Sequence, residues 1–158
     1  LKERVKTLKG MPLQKVWEVC KGLNYNKGAK EIIEILKEKE YKVIVYSGGI
    51  DEGVSAGKKA LRYDVHFSKT LHHKDGLLTG KVGGEMMFAY SKGRMLEKIQ
   101  TLLGVSYENT IVVGDGANDI SMFQYAQKKV AFCAKEILKK AANIVIGTKD
   151  LSLIKNYL

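Results

Sequence analysis

The stretch Ile111-Val112-Val113-Gly114-Asp115-Gly116-Ala117-Asn118-Asp119-Ile120 limits the choice of fold more than any other part of the chain. Three β-branched residues running into Gly-Asp-Gly predict a buried parallel strand that stops at a tight turn, with Asn118 and Asp119 opening the next helix. The carboxylates then stand at the carboxyl end of a strand, the edge where open α/β sheets bind ligands. Two acidic groups beside glycines that admit close backbone approach suit a hard cation such as Mg²⁺ together with a phosphate. A plain βα turn with an Asn or Asp helix cap fits the same residues.

A chain of 158 residues, 45% apolar, buries one core with room for a small appendage. No apolar run approaches the roughly 18 residues of a membrane span, and no Pro-rich or Gly/Ser-rich linker interrupts the chain. The net charge of +10 comes from 27 basic and 17 acidic residues. Its lysines are interspersed with glutamates, as in Lys37-Glu38-Lys39-Glu40, which reads as a solvated face with no nucleic-acid partner. Cys20 and Cys133 lack metal-type spacing and are expected to pack as small hydrophobes in a reducing cytosol. Leu1 falls inside an amphipathic pattern with Val5 and Leu8. The amino terminus is therefore expected to be missing, and part of the site with it.

Helices and short strands alternate along the chain. Leu13, Val16, Trp17, Cys20 and Leu23 form a stripe after Pro12, which with residues 1–9 predicts an αα-hairpin. A helix from Lys27 to Glu40 leads to a strand, Val43–Tyr46, ending at the small-residue turn Ser47-Gly48-Gly49. A helix over 51–61 and a hairpin with arms 65–72 and 77–82 about Asp75-Gly76 come next. His66, His72 and His73 do not form a metal set, because neighbouring strand residues face opposite ways.

The helix from Ser91 to Gly104 carries Met95, Leu96, Ile99, Leu102 and Leu103 inward. Lys92 lies in its first turn, where the helix dipole opposes a cation unless an anion sits opposite; an ordinary exposed lysine is the other reading. Helices to about Gln127, over 135–142 and over 150–157 alternate with strands Val130–Cys133 and Ile144–Ile146. The fold class is α/β, a Rossmann-like parallel sheet with right-handed crossovers and flanking helices.

Ser47-Gly48-Gly49, Lys92, and Asp115 with Asn118 and Asp119 all fall at strand ends or helix starts. A hydroxyl with free amides, an ammonium and a metal-holding carboxylate would hold and polarise a phosphate monoester. A nucleophile is missing: Ser47 has no base placed in sequence to activate it.

These three segments, in this order, resemble the second, third and fourth motifs of the haloacid dehalogenase superfamily. Val43–Gly49, Lys74-Asp-Gly-Leu-Leu-Thr-Gly80 and Gly114–Phe123 are similar to the archaeal and bacterial phosphoserine phosphatase branch. The resemblance implies a cytoplasmic Mg²⁺-dependent phosphomonoesterase of serine biosynthesis. It would convert O-phospho-L-serine and water to L-serine and phosphate through an aspartyl-phosphate. By the same match Ser47, Gly48 and Gly49 bind phosphate, Lys92 neutralises it, Asp115 holds Mg²⁺, Asn118 contacts substrate, and Asp119 orients Lys92. Arg4 matches the arginine of the helical cap that pairs with the serine carboxylate, a role suited to its planar fork; an exposed surface arginine is the other reading.

The superfamily's first motif, a strand ending in Asp-x-Asp, does not occur in these residues. The resemblance places it upstream of Leu1, as the central strand between those ending at Ser47 and Asp115. Residues 1–26 would then be the end of a cap, and 27–158 a core without its first strand. The missing segment would be a partner in the site, and the chain alone would be inactive. A phosphatase or phosphotransferase acting on another small phosphomonoester, or a non-catalytic phosphate- or Mg²⁺-binding remnant, stand as alternatives.

Overall fold

Alternation of apolar β-branched runs with amphipathic helices produces an α/β chain in the computed structural model, which describes residues 2–158. The elements are α1 (Lys2–Lys6), α2 (Leu13–Lys21), α3 (Ala29–Glu38), β1 (Ile44–Ile50), α4 (Asp51–Leu61), β2 (Val65–Lys74) and β3 (Leu77–Gly83). They continue as α5 (Ser91–Leu103), β4 (Ile111–Gly114), α6 (Ile120–Phe123), β5 (Lys128–Phe132), α7 (Glu136–Ala141) and β6 (Ile144–Ile146), with a closing 3-10 helix, Leu151–Tyr157. Two units divide the chain between Met87 and Phe88.

In the first unit the sheet order is β1-β2-β3, with β1 parallel to β2 and β2 antiparallel to β3 through the Asp75-Gly76 turn. Val5, Val16, Cys20, Leu71 and Leu78 form its core cluster, so both N-terminal helices bury their apolar stripe against the hairpin. The link between α1 and α2 is stitched to the hairpin. Gly10 N donates to Leu78 O at 2.8 Å, Leu78 N to Met11 O at 2.9 Å, and Leu13 N to Gly76 O at 2.9 Å. Leu1, grouped with Val5 and Leu8 in the sequence, lies outside the described residues. Leu23 falls beyond the end of α2 and is exposed, because Gly22 closes the helix before the stripe reaches it.

In the second unit β4, β5 and β6 are all parallel; Val112 and Ala131 are buried on one face of the sheet, Val130 on the other, and Leu138 of α7 is fully buried. Several expectations fail locally. Ser47-Gly48-Gly49 does not terminate its strand but lies within β1. The helix to Gln127 is only a 3-10 turn, Ala117–Asp119, and the single turn of α6. Leu102 (79% exposed) and Leu103 (52%) point outward. The reason is length: α5 runs about 20 Å and its partner α6 about 6 Å, so nothing in this unit covers the last turn. Cys133 is exposed rather than packed, at a residue with φ of +44° where the chain leaves β5.

Candidate functional site

The loop after β4 is closed by one carboxylate. Asp119 is 3% exposed, and its Oδ2 accepts the amides of Asp115 at 2.9 Å and Gly116 at 3.1 Å. Its other oxygen accepts from Lys92 Nζ at 2.5 Å. The Lys92 and Asp119 side chains are only 11% and 4% exposed, so this ion pair is desolvated and held from both ends. Gly114 is required here: a Cβ would stand 2.5 Å from Asp119 Cβ and 2.7 Å from Oδ2.

Ser121 and Gly93, not singled out in the sequence, fix the position of Lys92. Gly93 N, an orphan donor of the first turn of α5, donates to Ser121 Oγ at 3.2 Å, and that hydroxyl donates on to Ala89 O at 3.2 Å. A Cβ on Gly93 would collide with the Ser121 carbonyl. The Gly93–Ser121 contact is thus a glycine-dependent helix approach, of which Lys-Gly in a first turn was the available signal.

Asp115 is exposed, and among the described residues its carboxylate has no hydrogen bond or ion pair. Its backbone carbonyl is taken by Lys135 N at 3.0 Å. An open carboxylate beside a carboxylate already committed suits a hard divalent ion, with Asp115 as the side-chain donor and further oxygens from substrate or water. Among the described residues no group of three or more His, Cys, Asp or Glu could hold a metal. Asn118 is exposed at the same loop, its Oδ1 folded back over Gly116.

In the first unit, β1 and β2 pair in step from Ile44↔Val65 to Tyr46↔Phe67, and the next pair is Ile50↔Lys69. Four residues of β1 therefore advance where β2 advances two, and Ser47-Gly48-Gly49 arches out of the ladder. Ser47 Oγ accepts Gly49 N at 3.0 Å, which leaves its proton free for an external acceptor. Arg4 is exposed on α1.

Just after the arch, Asp51 opens α4 and gathers three side chains. His66 Nε2 and Ser68 Oγ lie 2.9 Å from its Oδ1, and Ser55 Oγ donates to Oδ2 at 3.2 Å. Burial is the largest single influence on the Asp51 carboxyl and pushes it up. The hydrogen bonds from His66, Ser68 and Ser55 and the imidazole charge outweigh burial together, and the carboxyl lies below its usual range. The arrangement is not a nucleophilic triad: Asp51 and Ser55 both approach Nε2, and His66 Nδ1 is buried without a partner among the described residues. It anchors the start of α4 to β2. His72 is likewise occupied, its Nδ1 2.8 Å from Thr79 Oγ1.

A parallel α/β unit with a Gly-Asp-Gly loop, an open carboxylate and a lysine–aspartate pair defines the class of haloacid dehalogenase-like hydrolases. The family of that description matches residues 86–158. A phosphoserine phosphatase of Wolinella succinogenes is 54% identical over all 158 residues, which span 77% of its length. One from Methanocaldococcus jannaschii is 47% identical over 158 residues, 75% of its length. Among solved structures, a substrate-bound phosphoserine phosphatase complex superposes with a TM-score of 0.94 at 47% identity, covering 100% of this chain and 75% of that one. The chain belongs to the phosphoserine phosphatase family, whose members depend in general on a divalent metal.

Proposed function

We propose that the enzyme containing these residues hydrolyses O-phospho-L-serine to L-serine and phosphate, with Mg²⁺ as its divalent ion, in the cytoplasm. The observation that carries this reading is the double use of Asp119, which closes the Gly114–Gly116 turn and holds the Lys92 ammonium. Identity of 54% to a phosphoserine phosphatase supports the choice of substrate.

The chain's own residues have separable tasks. Ser47 donates its free proton and Gly48 its amide to phosphoryl oxygens. Lys92 keeps N–H donors beyond the one given to Asp119 and sets them against the phosphoryl charge. Asp119 is a positioning residue for that ammonium. Asp115 would hold the divalent ion, which supplies charge neutralisation at the phosphoryl oxygens. Arg4 offers the substrate carboxylate a two-pronged donor. Attack on phosphorus and protonation of the departing serine oxygen are assigned to an Asp-x-Asp pair that these 158 residues do not contain.

Steady-state hydrolysis of phosphoserine, phosphoglycolate and an aryl phosphate by the intact enzyme tests the reading. Phosphoserine is expected to lead in kcat/KM by about 10²-fold, and Arg4→Ala to abolish that lead while sparing the aryl phosphate. Equal kcat/KM for all three would overturn the assignment. Residues 1–158 alone are expected to turn over none of them.

A further inference from the structure

The Ser47-Gly48-Gly49 arch has a cation beside it within its own unit. Within Val65–Leu71, His66 and Ser68 face Asp51, so Lys69 projects from the opposite side of β2 together with Phe67, which stacks on Tyr46. The register pairs Lys69 with Ile50, the residue directly after the arch. Lys69 Nζ consequently hangs 4.0 Å from the point where a side chain on Gly48 would begin.

Lys69 as a residue is half-buried, and among the described residues no hydrogen bond or ion pair engages its ammonium. It lines a recess of about 340 Å³ with Lys2, Glu3, Val82 and Met87. The one acid there, Glu3, is already bound to Lys6 at 2.8 Å. The recess therefore presents two ammonium groups against one shared carboxylate, and one of them, Lys69, reaches to 4.0 Å from where a Cβ on Gly48 would stand. A cation without a counter-charge is stabilised by binding an anion.

We propose that Lys69 is a phosphate-binding residue of this enzyme, reaching from β2 to the phosphoryl group seated on Ser47-Gly48. This rests on the reading of that arch as the phosphate site. Lys69 acts on the bound dianion in substrate and in product alike, so its contribution falls on binding rather than on the chemical step.

The test uses the intact enzyme with Lys69→Met, Lys69→Gln and Lys69→Arg, reading KM and kcat for phosphoserine and the inhibition constant for inorganic phosphate. For Met and Gln, KM and the phosphate inhibition constant are expected to rise together by about tenfold, with kcat changing less than threefold; Arg should restore most of the loss. Thermal unfolding should match the parent, which separates lost binding from lost fold. Unchanged phosphate inhibition in folded Met and Gln variants that hydrolyse phosphoserine would overturn the role of Lys69 and leave the proposed function standing. Phosphate binding that weakens on removal of Lys69, in an enzyme that does not hydrolyse phosphoserine, would leave Lys69 standing and overturn the substrate.

Discussion

Lys92 touches one oxygen of Asp119, at 2.5 Å, while the other oxygen of the same carboxylate holds the amides of Asp115 and Gly116. Ammonium and loop are thereby tied to one buried group. Lys92→Met leaves that carboxylate charged and unpaired, and is expected to cost about 3 kcal/mol in urea unfolding as well as the activity. Lys92→Met combined with Asp119→Asn should cost less than the sum of the two single changes, because the buried charge disappears with its partner.

Gly93→Ala is expected to destabilise by about 1–3 kcal/mol, since the new methyl must displace the Ser121 backbone. Gly147→Ala, with nothing within 4 Å of the added Cβ, is the control and should lie within about 0.5 kcal/mol of the parent. Parallel thermal melts check both, and a drop in kcat for Gly93→Ala would report the shifted Lys92.

Asp115→Asn should separate fold from chemistry in the opposite way to Lys92. The carboxylate is exposed and makes no contact among the described residues, so the melting temperature should stay where it is. Divalent-metal dependence of turnover should weaken by at least about 10²-fold, measured as the metal concentration giving half-maximal rate.

Asp51 contributes a pH dependence whose sign follows from its lowered carboxyl. The folded value lies below the unfolded one, near 3.9, so the stabilisation is complete above that value and is lost as pH falls through the folded one. The Asp51 side chain is 41% exposed, and solvent screening keeps the gain under about 1 kcal/mol. Chemical denaturation of the parent and Asp51→Asn should therefore differ at pH 7, and the difference should shrink as pH falls through the folded value.

Regular elements and the main loop were legible because local patterns decide them. β-branched runs marked β1 and β4, Asp75-Gly76 marked the hairpin turn, and Gly104 marked the end of α5. What escaped depends on partners distant in sequence. The exposure of Leu102 reflects the shortness of α6, which no periodicity in α5 reports. The arch at Ser47 belongs to the β1–β2 register, so a strand end and a bulge look alike in the residues themselves. Ser121 and Asp51 are polar side chains whose partners lie on other elements. Ser47-Gly48-Gly49, Lys92 and Asp115 with Asn118 and Asp119 stood out because they read as strand ends or helix starts, and Lys92 also because the helix dipole opposes a cation there.

The stitching of Gly10, Met11 and Leu13 to the tip of the β2–β3 hairpin has a mechanical consequence. The α1 segment bearing Arg4 has no independent hinge at its C-terminal side, since its connection is woven into the ribbon as an added edge. Any excursion of the segment that follows Arg4 must carry the hairpin tip with it, or first break three backbone bonds.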